Sequence, residues 1–301
     1  MIVRTVTDEI QQILEQTLGA GLSIAPMPPG RSGASLWSVE RGGERFVLRQ
    51  AGPQARGQAE AQREACCMRL AAERGLAPRL LYARAGITLM EWVAGSSISR
   101  GTPRETDPLG RLAATLRHLH QGPAFPAGPS LLAMFRDLER HLPGLPSILG
   151  RTLEETTGPL AELSQPAPCH LDLNPSNILA TDERIYLVDW ELAAQNEPFL
   201  DLAQLGIWIC RNRGEREELL HKYLQQAPEP IQNRRMQLAR LQALSFYASA
   251  FHLVTRLQGR QLIQAGADLD DLFAEMARSG QPFTPEAMAL ALVQELQREL
   301  E

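Results

Sequence analysis

The sequence predicts an α+β fold: a small antiparallel β-rich lobe over residues 1–94, then a larger, mainly helical lobe over 95–301. Two observations carry this. Apolar and polar residues alternate on both sides of Gly42-Gly43, the mark of a β-hairpin. Beyond the polar stretch GSSISRGTPRETD (95–107), helical periodicity dominates to the end of the chain. Hydrophobic residues at 44% and charged residues at 22% fit a globular protein and exclude a fibrous or disordered one.

The elements follow in order. In DEIQQILEQTL (8–18), Ile10, Ile13, Leu14 and Leu18 share a helical face, with Thr7 as N-cap and Gly19 as stop. Residues 36–39 and 46–48 form the hairpin strands. QAEAQREACCMRLAAER (58–74) is rich in helix formers, Gly75 closes it, and Pro78 prevents its return. Short strands are expected at 80–83 and 87–91, and a hinge at 92–95. Helices are expected at 107–121, 131–141, 151–163, 199–211, 215–226, 231–258 and 284–300. Two short strands, at 178–180 and 185–188, interrupt them. The Pro-bearing stretches 121–130 and 227–230 read as loops.

Composition narrows the function classes. Lys and Arg number 30 against 35 Asp and Glu, a net charge of −5, and no like-charge block stands out. A broad nucleic-acid-binding face is not expected. The four cysteines, Cys66, Cys67, Cys169 and Cys210, form no CxxC pair, so neither a disulfide framework nor a structural zinc site is expected. The opening MIVRTVTDEI carries acids and no apolar core, so no secretion signal is expected. No apolar run approaches the roughly 20 residues that span a bilayer. A cytoplasmic protein with no membrane partner is the expectation.

The informative segment is CHLDLNPSNILATDERIYLVDWE (169–191). It holds His170-x-Asp172 and Asn177, then a strand pair, then Asp189. Phosphoryl transfer uses such a set: one carboxylate to accept the proton of an attacking hydroxyl, and an amide and a second carboxylate to hold Mg²⁺. Hard oxygen ligands suit that ion, which keeps several waters. A hairpin after Asn177 returns the chain and brings Asp189 beside it. A metal-hydrolase reading is weaker. No second His–carboxylate cluster accompanies the first, and His118 and His120, two apart on a predicted helix, face different ways.

HLDLNPSN (170–177), YLVDWELA (186–193) and NEPFLDLAQL (196–205) resemble the aminoglycoside phosphotransferase/choline kinase superfamily, whose fold is protein-kinase-like and two-lobed. The resemblance covers most of the chain and is strongest to the bacterial thiamine kinase and choline kinase branch. It implies Asp172 as catalytic base, His170 as a brace of the catalytic loop, Asn177 and Asp189 as Mg²⁺ ligands, and Asp201 as a residue fixing loop geometry.

The N-terminal half adds to it. Arg49, in RFVLRQ, stands where the family places a phosphate-binding cation, and Glu64 matches the helix acid that pairs with it. Arg replaces the commoner Lys, and it holds phosphate bidentately. Gly30, Ser32, Gly33 and Ser35 form a reduced phosphate loop in place of GxGxxG. LMEWVAG (89–95) matches the hinge that hydrogen-bonds adenine, which makes Glu91, Trp92 and Val93 nucleotide neighbours.

The implied activity is transfer of the γ-phosphate of ATP, with Mg²⁺, to a choline-, ethanolamine- or thiamine-like alcohol. A cationic acceptor needs an aromatic or acidic cage. Trp190, Glu191, Trp208, Phe246 and Tyr247 are candidates. An aminoglycoside O-phosphotransferase is the alternative, for which Asp201, Glu215, Glu217 and Glu218 supply acids. A non-catalytic nucleotide-binding module is a third, disfavoured because Asp172, Asn177 and Asp189 are all present.

Overall fold

The computed structural model describes residues 6–28, 34–52, 57–84, 86–141, 144–260 and 268–301. They divide into two compact units, 1–96 with 177–193, and 97–176 with 194–301.

In the first unit, α1 (Asp8–Leu18) begins where the Thr7 hydroxyl accepts the Ile10 N–H, and it ends at Gly19, whose φ of 89° only glycine adopts readily. Its buried stripe is Ile10, Leu14 and Leu18. That stripe covers a five-stranded antiparallel sheet in the order β1-β2-β3-β5-β4. The strands are β1 (Ser23–Pro26), β2 (Ser35–Arg41), β3 (Glu44–Gln50), β4 (Leu80–Arg84) and β5 (Ile87–Glu91). Period-two alternation puts Trp37, Val39, Phe46, Leu48, Ile87 and Leu89 on one face, where they form the core with α1. Each such side chain contributes about 1.5–3 kcal/mol through its burial. Gly42 and Gly43, both at positive φ, make the two-residue turn between β2 and β3.

Helix α2 (Gln58–Glu73) buries Cys67, Met68 and Ala71 and stops before Gly75, which has φ 71°. The sequence placed all of 95–301 in one lobe. Residues 177–193 instead belong to the first unit, because the hairpin of β8 (Ile178–Ala180) and β9 (Ile185–Leu187) bonds there: the Leu187 N–H donates to the Leu76 carbonyl at 2.7 Å. A two-residue strand, β6 (Ser96–Ser97), falls at the boundary between the units.

In the second unit, α3 (Pro108–His120) starts with Pro at its first turn and Asp107 as N-cap. Helices α4 (Leu131–His141) and α5 (Ser147–Leu163) follow. β7 (Ala167–Cys169) pairs antiparallel with β10 (Ala194–Asn196), and the loop 170–176 leaves from the end of β7. Every residue of α6 (Phe199–Trp208) is buried. After α7 (Arg213–Leu224), the 28-residue α8 (Pro230–Leu257) packs against α5, α6 and α10 (Pro285–Leu300). Between α8 and α10 lies α9 (Leu269–Ser279), a helix the sequence reading had not included. The expected helix over 151–163 begins earlier, at Ser147, with Pro146 before it. Among the described residues no helix is long and apolar enough to cross a membrane, and all four cysteines are free.

Candidate active site

Each unit carries some of the residues that the sequence singles out. In the first, Arg49 lies on β3 and meets three carboxylates. Its Nη1 donates to Glu64 Oε1 of α2 at 2.8 Å, and its Nη2 to Asp189 Oδ1 and Glu191 Oε2, each at 3.3 Å. Burial opposes the guanidinium charge, and the three acids more than offset it, so the Arg49 pKa stands above its ordinary value.

The β8–β9 register pairs Ile178 with Leu187, and one step further the Val188 N–H donates to the Asn177 carbonyl at 3.0 Å. That pairing sets Asp189 just beyond Asn177. Asp189 itself is left-handed, at φ 64°, which turns the chain out of β9 into the short 3₁₀ turn Trp190–Leu192. Holding a non-glycine residue there costs about 1–3 kcal/mol. α2 holds this turn: Arg63 donates from Nε to the Ala193 carbonyl and from Nη2 to the Glu191 carbonyl, both at 3.2 Å. Arg63 was not singled out by sequence, since only its contacts distinguish it from a surface arginine.

Of the remaining expectations for this unit, Gly30, Ser32 and Gly33 lie outside the described residues. Ser35 is half-buried and pairs with Gln50 in the β2–β3 ladder. At the hinge, the Glu91 N–H donates to the Arg79 carbonyl and the Trp92 N–H to the Arg45 carbonyl, each at 3.0 Å. The Glu91 side chain pairs with Arg79, and the Arg45 guanidinium lies 4.3 Å over the Trp92 ring. Trp190 corrects an expectation. Its ring is 1% exposed and its indole donates to the Leu187 carbonyl at 2.9 Å, so it is a core side chain rather than part of an acceptor cage. Glu191 belongs to the Arg49 cluster.

In the second unit the loop after β7 is clamped from α6. The Asp201 carboxylate accepts the His170 N–H at 2.9 Å on Oδ2 and the Leu171 N–H at 2.8 Å on Oδ1. Gln204, one turn on, accepts the Leu173 N–H at 2.9 Å and donates to the Leu171 carbonyl at 2.8 Å. Leu171 is left-handed at φ 65°, and these bonds hold it so. Asp201 and Gln204 are fully buried polar groups on an apolar helix, and both are satisfied by the loop. His170 is buried and its Nδ1 accepts the Asp172 N–H at 3.3 Å.

Asp172 is thereby directed outward from the clamped backbone. Its Oδ1 accepts from Asn174 Nδ2 at 3.2 Å and from the Tyr247 hydroxyl of α8 at 3.3 Å. Burial, then the Asp172 charge, pushes the Tyr247 pKa well above that of an ordinary phenol. Trp208 packs edge-on against Tyr247 with ring centres 5.1 Å apart, and Phe251 and Phe273 surround it. Phe246 adjoins Tyr247 at 5.9 Å. Of the aromatic candidates, Tyr247 touches Asp172, and Trp208 and Phe246 pack against Tyr247; Trp208 and Tyr247 are buried.

The acids considered for a polycation have other partners. Asp201 holds the loop. Glu215 is chelated by Arg104 and Arg211. Glu217 pairs with Arg213, and Glu218 with Lys222.

A small antiparallel sheet with a helix acid on its strand cation, together with a helical unit that clamps an aspartate-bearing loop, is the protein-kinase-like two-lobed α+β arrangement. The solved structures it is similar to include a choline/ethanolamine kinase family protein from Mesorhizobium loti, with a TM-score of 0.65 and 23% identity, covering 96% of this chain and 99% of that one. Choline kinase LicA from Streptococcus pneumoniae aligns with a TM-score of 0.68 and 16% identity over 97% of each chain. A family model described as the phosphotransferase enzyme family matches residues 24–238, and the chain belongs to that family. Among curated relatives it is similar to a thiamine kinase of Salmonella typhi, 30% identical over 145 residues, which are 47% of this chain. The chain spans about half the length of the curated relatives it matches, 50% in that case.

Proposed function

We propose that the protein transfers the γ-phosphate of ATP to the hydroxyl of a small choline-, ethanolamine- or thiamine-like alcohol. The observation that carries this reading is the loop in which Asp201 and Gln204 hold Leu171 left-handed and position Asp172, whose Oδ1 accepts from Asn174 and Tyr247. Asp172 orients the acceptor hydroxyl and takes its proton as the phosphoryl group leaves the nucleotide. In a loose transition state, positioning and charge neutralisation carry most of the rate.

Arg49 binds the phosphates, and Glu64 keeps its guanidinium in place by a charge-assisted bond. The carboxylate of Asp189 and the carboxamide of Asn177 are hard oxygen donors on one hairpin, a set that fits Mg²⁺. Bound there, the ion neutralises phosphate charge. Since the Glu91 and Trp92 N–H groups are committed within the sheet, the Val93 N–H is the hinge donor left for the adenine. The named relatives, a thiamine kinase and two choline kinase-like structures, support the acceptor class. Phe246, half-buried beside Tyr247, is the aromatic candidate open to a cationic or flat acceptor, since Trp208 and Tyr247 are themselves buried. An aminoglycoside fits less well, because the acids available to it are paired within the protein.

ADP release by the purified protein with ATP·Mg²⁺, over choline, ethanolamine, thiamine and several aminoglycosides, tests the proposal against Asp172→Asn as blank. Turnover with one small alcohol and none in the blank supports it. Turnover confined to aminoglycosides replaces the acceptor class, and none with any acceptor refutes the transferase reading.

A further inference from the structure

Two residues past Asp172, a side-chain amide has both of its ends bonded. Asn174 immediately precedes the 3₁₀ turn Pro175–Asn177, and its Oδ1 accepts the Ser176 N–H at 3.0 Å, as a capping residue does. The Ser176 hydroxyl donates to the same oxygen. The other end of the amide, Nδ2, donates to Asp172 Oδ1 at 3.2 Å. The backbone beneath is held on both sides. The Asn174 N–H donates to the Asp172 carbonyl at 3.0 Å, and the Pro175 carbonyl accepts from the Ser97 hydroxyl.

These bonds decide which way the amide faces. Turned over, it would set its NH2 against the Ser176 backbone N–H and its oxygen against a carboxylate, two opposed pairs in place of two bonds. Capping alone does not call for asparagine. Ser, Thr and Asp cap as well, but only Asn joins a separate N–H donor to the cap oxygen.

We propose that Asn174 is a positioning residue for Asp172. Its bonds to Ser176 hold the amide so that Nδ2 keeps the carboxylate in the rotamer that meets the acceptor hydroxyl. Two donors from different elements then reach one oxygen, Asn174 from the loop and Tyr247 from α8. With the loop donor gone, the carboxylate is steadied from the helix side only, and a small misplacement of a reacting group slows the chemical step steeply. The consequence for catalysis rests on the phosphotransferase reading; the hydrogen bonds themselves do not.

The test sets donation against capping on the full chain, with kinetics, denaturant unfolding and NMR as readouts. Asn174→Ser keeps a cap oxygen, so its unfolding midpoint is expected to match the wild type. It loses Nδ2, and kcat is expected to fall by roughly 5–30-fold, the scale of one hydrogen bond to a charged group. Asn174→Asp also caps but sets a second carboxylate against the base, and its kcat falls about tenfold further. Both KM values stay within about twofold. Ser176→Ala keeps the backbone bond, loses the hydroxyl, and lies between the wild type and Asn174→Ser. The side-chain amide signals of Asn174, assigned by their loss in Asn174→Ser, shift in Asp172→Ala and in Ser176→Ala.

Native kcat in both Asn174→Ser and Asn174→Asp overturns the proposal and leaves Asn174 a cap. A fall in kcat that tracks a lowered unfolding midpoint overturns it as a structural loss, and a raised acceptor KM at native kcat makes the amide an acceptor contact instead. Should the Asn174 variants fail to fold, Ser176→Ala decides, and native kcat with unmoved amide signals there refutes the relay. A wild type without turnover sinks the transferase reading, while amide signals unmoved in Asp172→Ala still refute the bond.

Discussion

The Tyr247 hydroxyl donates to Oδ1 of Asp172 at 3.3 Å, tying the long helix α8 to the carboxylate proposed as base. A phenol whose pKa burial raises this far stays a donor across the working pH range, so the bond persists wherever Asp172 is ionised. Tyr247→Phe removes the donor and keeps the ring against Trp208. A hydrogen bond to a charged group is worth about 1–2 kcal/mol here, or roughly a 5–30-fold fall in kcat. Kinetics with saturating nucleotide checks this. An unchanged kcat with a raised acceptor KM would make Tyr247 a binding surface and not a support for the base.

Arg49 gives a prediction with two parts. Arg49→Ala removes the cation proposed to bind phosphate, and the nucleotide KM is expected to rise by at least about tenfold, the scale of one charge-assisted contact. It also leaves Glu64, Asp189 and Glu191 facing one another without their shared cation. The nucleotide-free protein should melt several degrees lower, a loss of about 1–3 kcal/mol. Added Mg²⁺ should recover part of that loss, since it neutralises the same acids. Arg49→Lys keeps the charge but not the fork and falls between. A native nucleotide KM in Arg49→Ala would assign the phosphate clamp elsewhere.

Much of this was legible in the sequence, and the misses have physical reasons. α1 and β5 lie where periodicity put them, because caps and alternation are local signals. β1 was missed because as an edge strand it is mostly exposed and shows no alternation. β7 and β10 have three residues each and exist only through their mutual pairing across the loop. α9 carried readable marks, with Asp268 as N-cap, Leu269 and Phe273 four apart and Gly280 as stop, which the polar run before it obscured. In the site, Asp172, Asn177 and Asp189 share one short motif. Gln204 comes from α6, some thirty residues further along the chain, and nothing local marks it as a partner of the loop.

The hinge prediction separates backbone from side chain. With Glu91 and Trp92 committed to Arg79 and Arg45, Val93→Pro deletes the N–H proposed to meet the adenine. The nucleotide KM should rise by about tenfold, the worth of one buried hydrogen bond left unmade. Val93→Ala keeps the N–H and should change KM little. Equal effects of the two substitutions would show that the side chain, not the backbone, matters.

Glu215 predicts how stability depends on pH. Burial alone would raise its pKa, but hydrogen bonds from Arg104 and Arg211, including the Arg211 backbone N–H, pull it down to about 2 from 4.5. The folded pKa lies below the unfolded one. The stabilisation is therefore fully present above pH 4.5 and is lost as pH falls from there toward 2. Its size, discounted for partial solvent screening, is about 1–3 kcal/mol. Glu215→Gln removes the anion and leaves Arg104, which is 18% exposed, without its bidentate partner. The variant should be less stable at pH 7 by about that amount, and its deficit against the wild type should shrink as pH falls below 4.5, where the unfolded chain's carboxylate takes up a proton that the folded one does not bind until about pH 2. Denaturant unfolding at pH 7 and pH 3 measures both. A deficit that stays constant over that range would mean that the glutamine is poorly accommodated in shape, and that the ion cluster joining the ends of α6 and α7 is not what stabilises this corner.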